Sequence, residues 1–303
     1  MTKDCVVIGG GAAGLSAALV LGRARMQTLV VDAGEQSNLP AHGVGGLLGF
    51  DGVSPAQLYA TGRDELIRYP SVEVRGGEVV SVIPHEGGFT VGMADGGTEQ
   101  VRRVLLATGM RYQLPSVPGL DEFWGRSVFH CPFCHGWEVR DQPLGVLAKG
   151  ERAVHMATLL KRWSNDVVVV SNGPAELSHA DRAQLAARGI AIDERLVSRV
   201  SGADGQLDAI VFEDGATLNR RGLLVAITLR QRNGLAQALG VTLAPPSPVS
   251  AESVAVDAMW QTSVPGVFAA GDTSVSMPQV AAAIASGSGA AASIVRSEME
   301  EGA

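Results

Sequence analysis

At 303 residues the chain can bury one large core or two medium ones. A hydrophobic fraction of 46% with 18% charged residues is ordinary for a globular protein, and a formal net charge of −7 argues against nucleic acid or an anionic membrane surface as the main partner. No apolar run reaches the roughly 18–20 residues that cross a bilayer, and a strand beginning near Asp4 leaves no room for a signal peptide, so a cytoplasmic location is expected.

Cys5 to Ile8 is a short β-branched run that predicts a strand, with Cys5 as a small core residue. The glycines of Gly9-x-Gly11-x-x-Gly14 follow at once. A helix is expected from Ala12 to about Arg25, then a strand over Thr28-Leu29-Val30-Val31 that ends at Asp32. Ser54-Pro55-Ala56-Gln57 reads as a helix start, with Ser54 as cap, Pro55 first and Gln57 as capping-box partner. Tyr69-Pro70 should end that helix after about Arg68.

Between Val72 and Leu106 the pattern changes to short alternating strands, with Asp95-Gly96-Gly97 as a hairpin signal. This meander ends in an apolar strand running into Ala107-Thr108-Gly109, and Pro115 and Pro118 mark a crossing into a second domain. There the strand–helix–strand pattern recurs: Leu144 to Leu147, about Ala153 to Trp163, and Val167 to Val170. Leu223 to Ile227 closes that unit, Val264 to Asp272 returns the chain to the first domain, and Gln279 to Ile294 reads as a helix of small residues. The fold expected is α/β, with two Rossmann-like, three-layer nucleotide-binding domains, the second inserted into the first. The expected boundaries are 1–113 and 233–303 for the split domain and 114–232 for the insert.

Each glycine of the fingerprint has its own physical task. Gly9 permits the tight turn, Gly11 lets backbone approach a pyrophosphate, and Gly14 lets the helix pack closely on the strand. The pyrophosphate then lies at the positive end of the helix. Asp32, eighteen residues past Gly14, can accept hydrogen bonds from an adenosine ribose.

About a hundred residues downstream comes Cys131-Pro132-Phe133-Cys134-His135. Three cysteines make no structural framework, and in a reducing compartment a lone CxxC is redox-active or metal-binding. As a redox pair, one thiolate attacks a disulfide and its partner resolves the mixed species. His130 and His135 flank the pair and keep a metal reading open, although a structural zinc needs four ligands and there is no second CxxC. CxxCH is also the string of c-type haem attachment, which requires export. A histidine such as His135 can take a thiol proton near neutral pH, or simply start a helix by bonding backbone. Trp137 reads as a packing residue.

Thr262-x-x-Pro265-Gly266-Val267-Phe268-Ala269-Ala270-Gly271-Asp272 resembles the second FAD motif of the pyridine nucleotide–disulfide oxidoreductases, and Ala107-Thr108-Gly109 resembles their intermediate FAD motif. The likeness covers nearly the whole chain in its order: half a flavin domain, an insert carrying CxxC, and the other half. It is similar to the low-molecular-weight thioredoxin reductase branch. The resemblance implies FAD contacts at Gly9, Gly11, Ala13, Gly14, Asp32, Thr108, Gly109, Gly271, Asp272, Gln279 and Val280, and more weakly at Asn38 and Val79. It implies catalysis by Cys131, Cys134 and His135, with no metal, and a homodimer. The loop with His42, Gly43, Gly45, Gly46 and Phe50 would run near the flavin.

Two departures bear on direction. Thioredoxin reductases usually carry Asp directly after the second Cys, whereas His135 here resembles the natural-product dithiol oxidases of the same family. In the second strand–helix–strand unit, the family's GxGxxA loop and HRR cluster for NADPH are replaced by Ala148-Lys149-Gly150-Glu151-Arg152-Ala153 and Ser171-Asn172-Gly173. Losing an Arg–phosphate pair weakens binding about a hundredfold, which puts NAD(P)H in doubt. The favoured reading is an FAD-dependent thiol–disulfide oxidoreductase that oxidises a dithiol, with the flavin re-oxidised by oxygen. The alternative is a thioredoxin reductase-like disulfide reductase fed by NAD(P)H or by a protein donor such as ferredoxin. Its partner would be a small dithiol or a thioredoxin-like protein.

Overall fold

The computed structural model describes residues 2–274 and 278–301. The chain forms two compact units: Met1–Leu39 with Ser54–Tyr112 and Leu229–Ala303, and Pro40–Val53 with Gln113–Thr228. No helix among the described residues is long and apolar enough to cross a membrane.

In the first unit, β1 (Lys3–Ile8), α1 (Ala12–Arg23), β2 (Thr28–Asp32), α2 (Pro55–Leu66) and β3 (Val72–Gly76) are followed by the meander β4 (Val79–His85), β5 (Gly88–Met93) and β6 (Thr98–Leu106). The described strands make one seven-stranded sheet in the order β3-β2-β1-β6-β5-β4, with β17 (Val267–Ala269) on the far half of β6. β3, β2, β1, β6 and β17 pair in parallel, and β4 and β5 join antiparallel. Alternation along the strands separates two cores. Cys5, Val7, Val30 and Leu105 face α1, α2 and α7 (Val280–Glu301), while Val6, Ile8, Leu29, Val31, Val104 and Leu106 face the meander and α6 (Leu235–Ala238). α1 and α7 pack so closely that a Cβ on Gly287 would enter the Ala13 carbonyl. β7 (Met110–Gln113) and β16 (Thr228–Gln231) pair with each other.

The second unit holds β8 (Val128–Phe129), the single-turn α3 (Pro132–His135), β9 (Leu144–Leu147), α4 (Gly150–Leu160), β10 (Val167–Val170), α5 (His179–Ala187) and β11 (Ala191–Asp193). These are followed by the antiparallel β12 (Val197–Ala203), β13 (Gln206–Phe212) and β14 (Thr217–Asn219), then β15 (Gly222–Val225). Its main sheet is wholly parallel in the order β11-β10-β9-β15-β8. Near-continuous Val and Leu on β9, β10 and β15 suit strands covered on both faces.

Most expected elements form within a few residues of their predicted bounds. Ser54 accepts from the Gln57 backbone N–H at 3.2 Å with Pro55 in the first turn, but the reciprocal bond from the Gln57 side chain that a capping box needs does not form. The hairpin turn at Asp95-Gly96-Gly97 connects β5 to β6, with Gly96 at φ +88°. α4 begins at Gly150 rather than Ala153, because the extended Lys149 is its N-cap and its carbonyl takes the Ala153 N–H. α7 runs on past Ile294, since Arg296 to Glu298 still favour helix.

Candidate active site

The carboxyl ends of the parallel strands gather the first group of residues. Register puts Ile8 beside Val31 and Leu106, and Leu106 beside Ala269, so Gly9, Asp32, Thr108 and Gly271 emerge at one edge of the sheet. Ligands of open α/β sheets bind at such an edge. Gly9 has φ +112°, and a Cβ there would enter the Ala107 carbonyl; a Cβ on Gly14 would enter the Gly9 carbonyl. Gly11, the N-cap of α1, is different: a Cβ would meet only the Gln36 side chain at 3.6 Å. Its bareness serves the open side of the loop rather than the packing. No side chain caps α1, which leaves its first-turn N–H groups available to a phosphate.

Asp32 is held by three donors. The Gly34 N–H and Gln36 Nε2 each donate to Oδ1 at 2.9 Å, and Arg63 lies 3.5 Å from Oδ2. Beside it opens a cavity of about 320 Å³ whose lining includes Gln36, Tyr59, Arg63 and Val74. Asn38 accepts from the Tyr59 hydroxyl at 2.8 Å, and burial pushes that phenol up to about 12. Val79 joins this neighbourhood because the Gly77 N–H donates to the Asp32 carbonyl at 3.0 Å. Its own side chain is buried in the core, so only its backbone is available to a ligand.

Across the edge, Thr273 Oγ1 donates to the Gly109 carbonyl at 3.2 Å and lies 3.1 Å from Thr108 Oγ1. Gly271, at φ +75°, donates its N–H to Ser286 of α7 at 2.9 Å. A Cβ on Gly271 would press on that of Ala13 at 2.9 Å, so the two FAD motifs touch through their smallest residues. Asp272 accepts from the Tyr112 hydroxyl at 2.7 Å. Gln279 directly precedes α7 and its carbonyl accepts the N–H of Ala283, which lies against Gly271; Val280 is the first residue of the helix. This cradle, with its bare loop, uncapped helix end and acid, fits FAD.

The second group lies within the other unit. Cys131 and Cys134 are joined in a disulfide, with Cα atoms 5.3 Å apart. Cys131 is the N-cap of α3 and nearly buried; Cys134 is partly exposed. His135 stacks on Phe129 at 5.7 Å, and its Nε2 lies 3.0 Å from the Gly125 carbonyl. A carbonyl only accepts, so Nε2 carries the proton and the buried Nδ1 holds a lone pair with no hydrogen-bond partner. Burial pulls the imidazole below its ordinary range, against opposing pulls from the Gly125 carbonyl, Glu138 and the Cys131 carbonyl. His130 is driven lower still, to about 3, by burial and by His135. The backbone-bonding expectation for His135 is met through Nε2, and its Nδ1 remains buried beside the pair's helix. No metal-binding cluster of three or more His, Cys, Asp or Glu occurs among the described residues.

Sequence reasoning did not foresee that the loop Pro40–Val53 packs on this segment. A Cβ on Gly45 would lie 2.6 Å from the Cys134 carbonyl, and Pro40 and Ala41 lie against Gly125, whose carbonyl holds His135. His42, between those anchors, lowers His135 electrostatically. The only trace in sequence is the loop's run of glycines.

Residues 3–287 match the family described as pyridine nucleotide-disulphide oxidoreductase. The chain belongs to this family. It is 34% identical over 294 residues to thioredoxin reductase tcpT of Claviceps purpurea, covering 94% of this chain and 90% of that protein. Its fold matches an oxidoreductase from Agrobacterium tumefaciens with a TM-score of 0.93 and 36% identity, covering 99% of both chains. HlmI matches with a TM-score of 0.92 and 39% identity, covering 99% of this chain and 94% of that one. The protein is thus a thioredoxin reductase-like flavin oxidoreductase acting on sulfur groups, with FAD as the family's cofactor.

The family's other cofactor fares differently here. Where a pyridine nucleotide pyrophosphate would meet the start of α4, the chain's own loop intervenes: the Ala175 carbonyl takes the Gly150 N–H at 2.9 Å. Lys149 pairs with Glu176 at 3.5 Å, and the Ala175 N–H donates to Glu194 at 2.8 Å. Asn172 Oδ1 accepts from the Val197 N–H at 2.8 Å, which holds the loop's other end. Arg152 donates to the Ile227 carbonyl at 3.0 Å, while Arg182 and Arg195 pair with Glu194 and Asp193. These contacts take the first N–H of α4 and pair the nearby cations, so the residues fit NADPH poorly.

Proposed function

We propose that this flavoprotein oxidises a dithiol to a disulfide at Cys131–Cys134. Gly9, Gly11, Ala13, Gly14, Asp32, Asn38, Val79, Thr108, Gly109, Gly271, Asp272, Gln279 and Val280 hold FAD. A substrate thiolate attacks one sulfur of the pair, breaking the Cys131–Cys134 bond and forming a mixed disulfide. The second substrate thiolate then attacks the substrate sulfur of that species, closing the product disulfide and releasing two cysteine thiols. His135 Nδ1 takes the proton of each attacking thiol and returns it to the departing cysteine sulfur, so the exchange is neutral overall. FAD held by these residues would supply the two-electron acceptor that returns the reduced pair to its disulfide, with molecular oxygen as the terminal oxidant and hydrogen peroxide as the second product.

The observation that carries this reading is the Ala175 carbonyl on the Gly150 N–H, which takes the first donor of the turn that would meet a nucleotide pyrophosphate. The opposing reading, a disulfide reductase drawing on NAD(P)H or a protein donor, is favoured by the thioredoxin reductase names of the relatives. Anaerobic stopped-flow separates the two. Excess NADPH or NADH should leave the yellow flavin oxidised, whereas dithiothreitol should bleach it, and air should restore the colour with release of peroxide. Rapid bleaching by either nucleotide would sink the oxidase reading.

A further inference from the structure

The hydrogen bond between Tyr112 and Asp272 joins two elements far apart in sequence, and neither the thiol chemistry nor the phosphate cradle uses it. Asp272 sits in the turn after β17, held by the Gly271 N–H on Ser286 and by Thr273 on the Gly109 carbonyl. It keeps part of its surface open, yet it lies deep among surrounding atoms. Tyr112, from β7, donates to Oδ2 at 2.7 Å. A carboxylate so placed can rotate, and it loses water that would otherwise stabilise its charge. The phenol answers both problems, since it fixes one oxygen and supplies a donor to the charged form.

We propose that Tyr112 is a positioning residue for flavin binding: it pins the Asp272 carboxylate through Oδ2, so that Oδ1 is left to accept from hydroxyls of the cofactor's ribityl chain. This rests on the assignment of Asp272 to FAD. Three groups act on the acid from the elements around it: Tyr112 from β7, Arg232 from the segment between β16 and α6, and Tyr59 from α2. Burial drives the Asp272 carboxyl above its usual range, and Tyr112 and then Arg232 pull it back. Both phenols are pushed up, chiefly by burial, so at neutral pH they are donors. Arg232 is itself fixed by Ser37 at 3.1 Å and by Glu35 at 3.4 Å. Without the Tyr112 hydroxyl the acid should therefore take up its proton at a higher pH, and the binding that needs the carboxylate should fail earlier as pH falls.

The test measures FAD affinity of the whole chain against pH, by ultrafiltration and flavin fluorescence, for wild type, Tyr112→Phe, Asp272→Asn and the double variant. Tyr112→Phe keeps the ring and should fold normally. At neutral pH it should weaken FAD about tenfold, the usual effect of losing a hydrogen bond to a charged group. Its pH of half-release should also move upward. Asp272→Asn should remove that acid-dependent release, and adding Tyr112→Phe to it should change little. A Tyr112→Phe profile that superimposes on wild type overturns the proposal, as does an undiminished effect in the Asp272→Asn background. Wild-type protein that cannot be loaded with FAD would instead overturn the cofactor assignment beneath it.

Discussion

His135 Nε2 donates to the Gly125 carbonyl at 3.0 Å, and that one bond decides which nitrogen of the ring is basic. With Nε2 protonated, Nδ1 is a buried lone pair one residue from Cys134. The imidazole is depressed by burial, so its neutral form should persist below the ordinary value of about 6.5. A base of this kind stays competent as pH falls to the ordinary imidazole value and is lost only below it. His135→Ala should slow flavin reduction by dithiothreitol about 10²-fold at neutral pH. The deficit should shrink as pH approaches about 8.5, where thiols ionise unaided. Stopped-flow rates of wild type and variant across pH would show this convergence. Rates that match at neutral pH would remove His135 from the chemistry.

The fingerprint glycines should separate into two classes. A methyl on Gly14 meets the Gly9 carbonyl and one on Gly9 meets that of Ala107, so Gly9→Ala and Gly14→Ala should destabilise the unit by several kcal/mol, about the scale of severe core overpacking. A methyl on Gly11 finds open space apart from Gln36 at 3.6 Å, and its φ of −83° suits any residue. Gly11→Ala should therefore yield a folded apoprotein, with thermal stability within about 1 kcal/mol of wild-type apoprotein. Its FAD affinity should drop about a hundredfold, because the methyl stands where backbone must approach phosphate. Full flavin content in Gly11→Ala would refute this placing of the pyrophosphate.

The loop over α4 makes a prediction that charge alone would not. If NADPH were excluded only by missing cations, Leu196→Arg would restore some affinity by placing a guanidinium beside Gly173 in the turn after β10, with the Asn172–Val197 bond left intact. The Ala175 carbonyl would still hold the Gly150 N–H, and Lys149 would still pair with Glu176. Leu196→Arg should thus show no flavin bleaching with NADPH at about 1 mM, the upper end of ordinary Michaelis constants. Reduction of the variant's flavin by NADPH would mean that the loop is no obstacle.

What sequence could disclose here was local. Gly9 to Gly14, Asp32 and the CxxC lie within short windows whose spacing is itself the signal, and the apolar, β-branched runs of β1 and β2 marked strands. The partners that hold these groups come from elsewhere in the chain. Tyr59 on Asn38, Tyr112 on Asp272 and Gly45 against the Cys134 carbonyl join residues from separate parts of the chain, and a tyrosine in such a place has no periodicity to betray it. The loss of the nucleotide arginines was legible at Ser171 to Gly173. The closure of that loop over Gly150 was not, because it depends on one backbone carbonyl meeting one backbone N–H.

The cysteines themselves offer the simplest check on the redox assignment. Of the three, Cys131 and Cys134 are bonded, whereas Cys5 lies fully buried in β1, its thiol pushed up to about 12 by desolvation. A thiol with that value is almost wholly protonated at neutral pH, and thiolate is the reactive form. The oxidised native protein should therefore titrate no fast-reacting thiol, and one thiol after denaturation. Reduction by dithiothreitol under nitrogen, followed by removal of the reductant, should expose two fast thiols in the native state and three on denaturation. Re-admitting air should return the native count to zero without added disulfide, provided FAD is bound. If the two thiols persist in air in flavin-loaded protein, the electrons have no route from Cys131 and Cys134 to oxygen, and the oxidase reading fails.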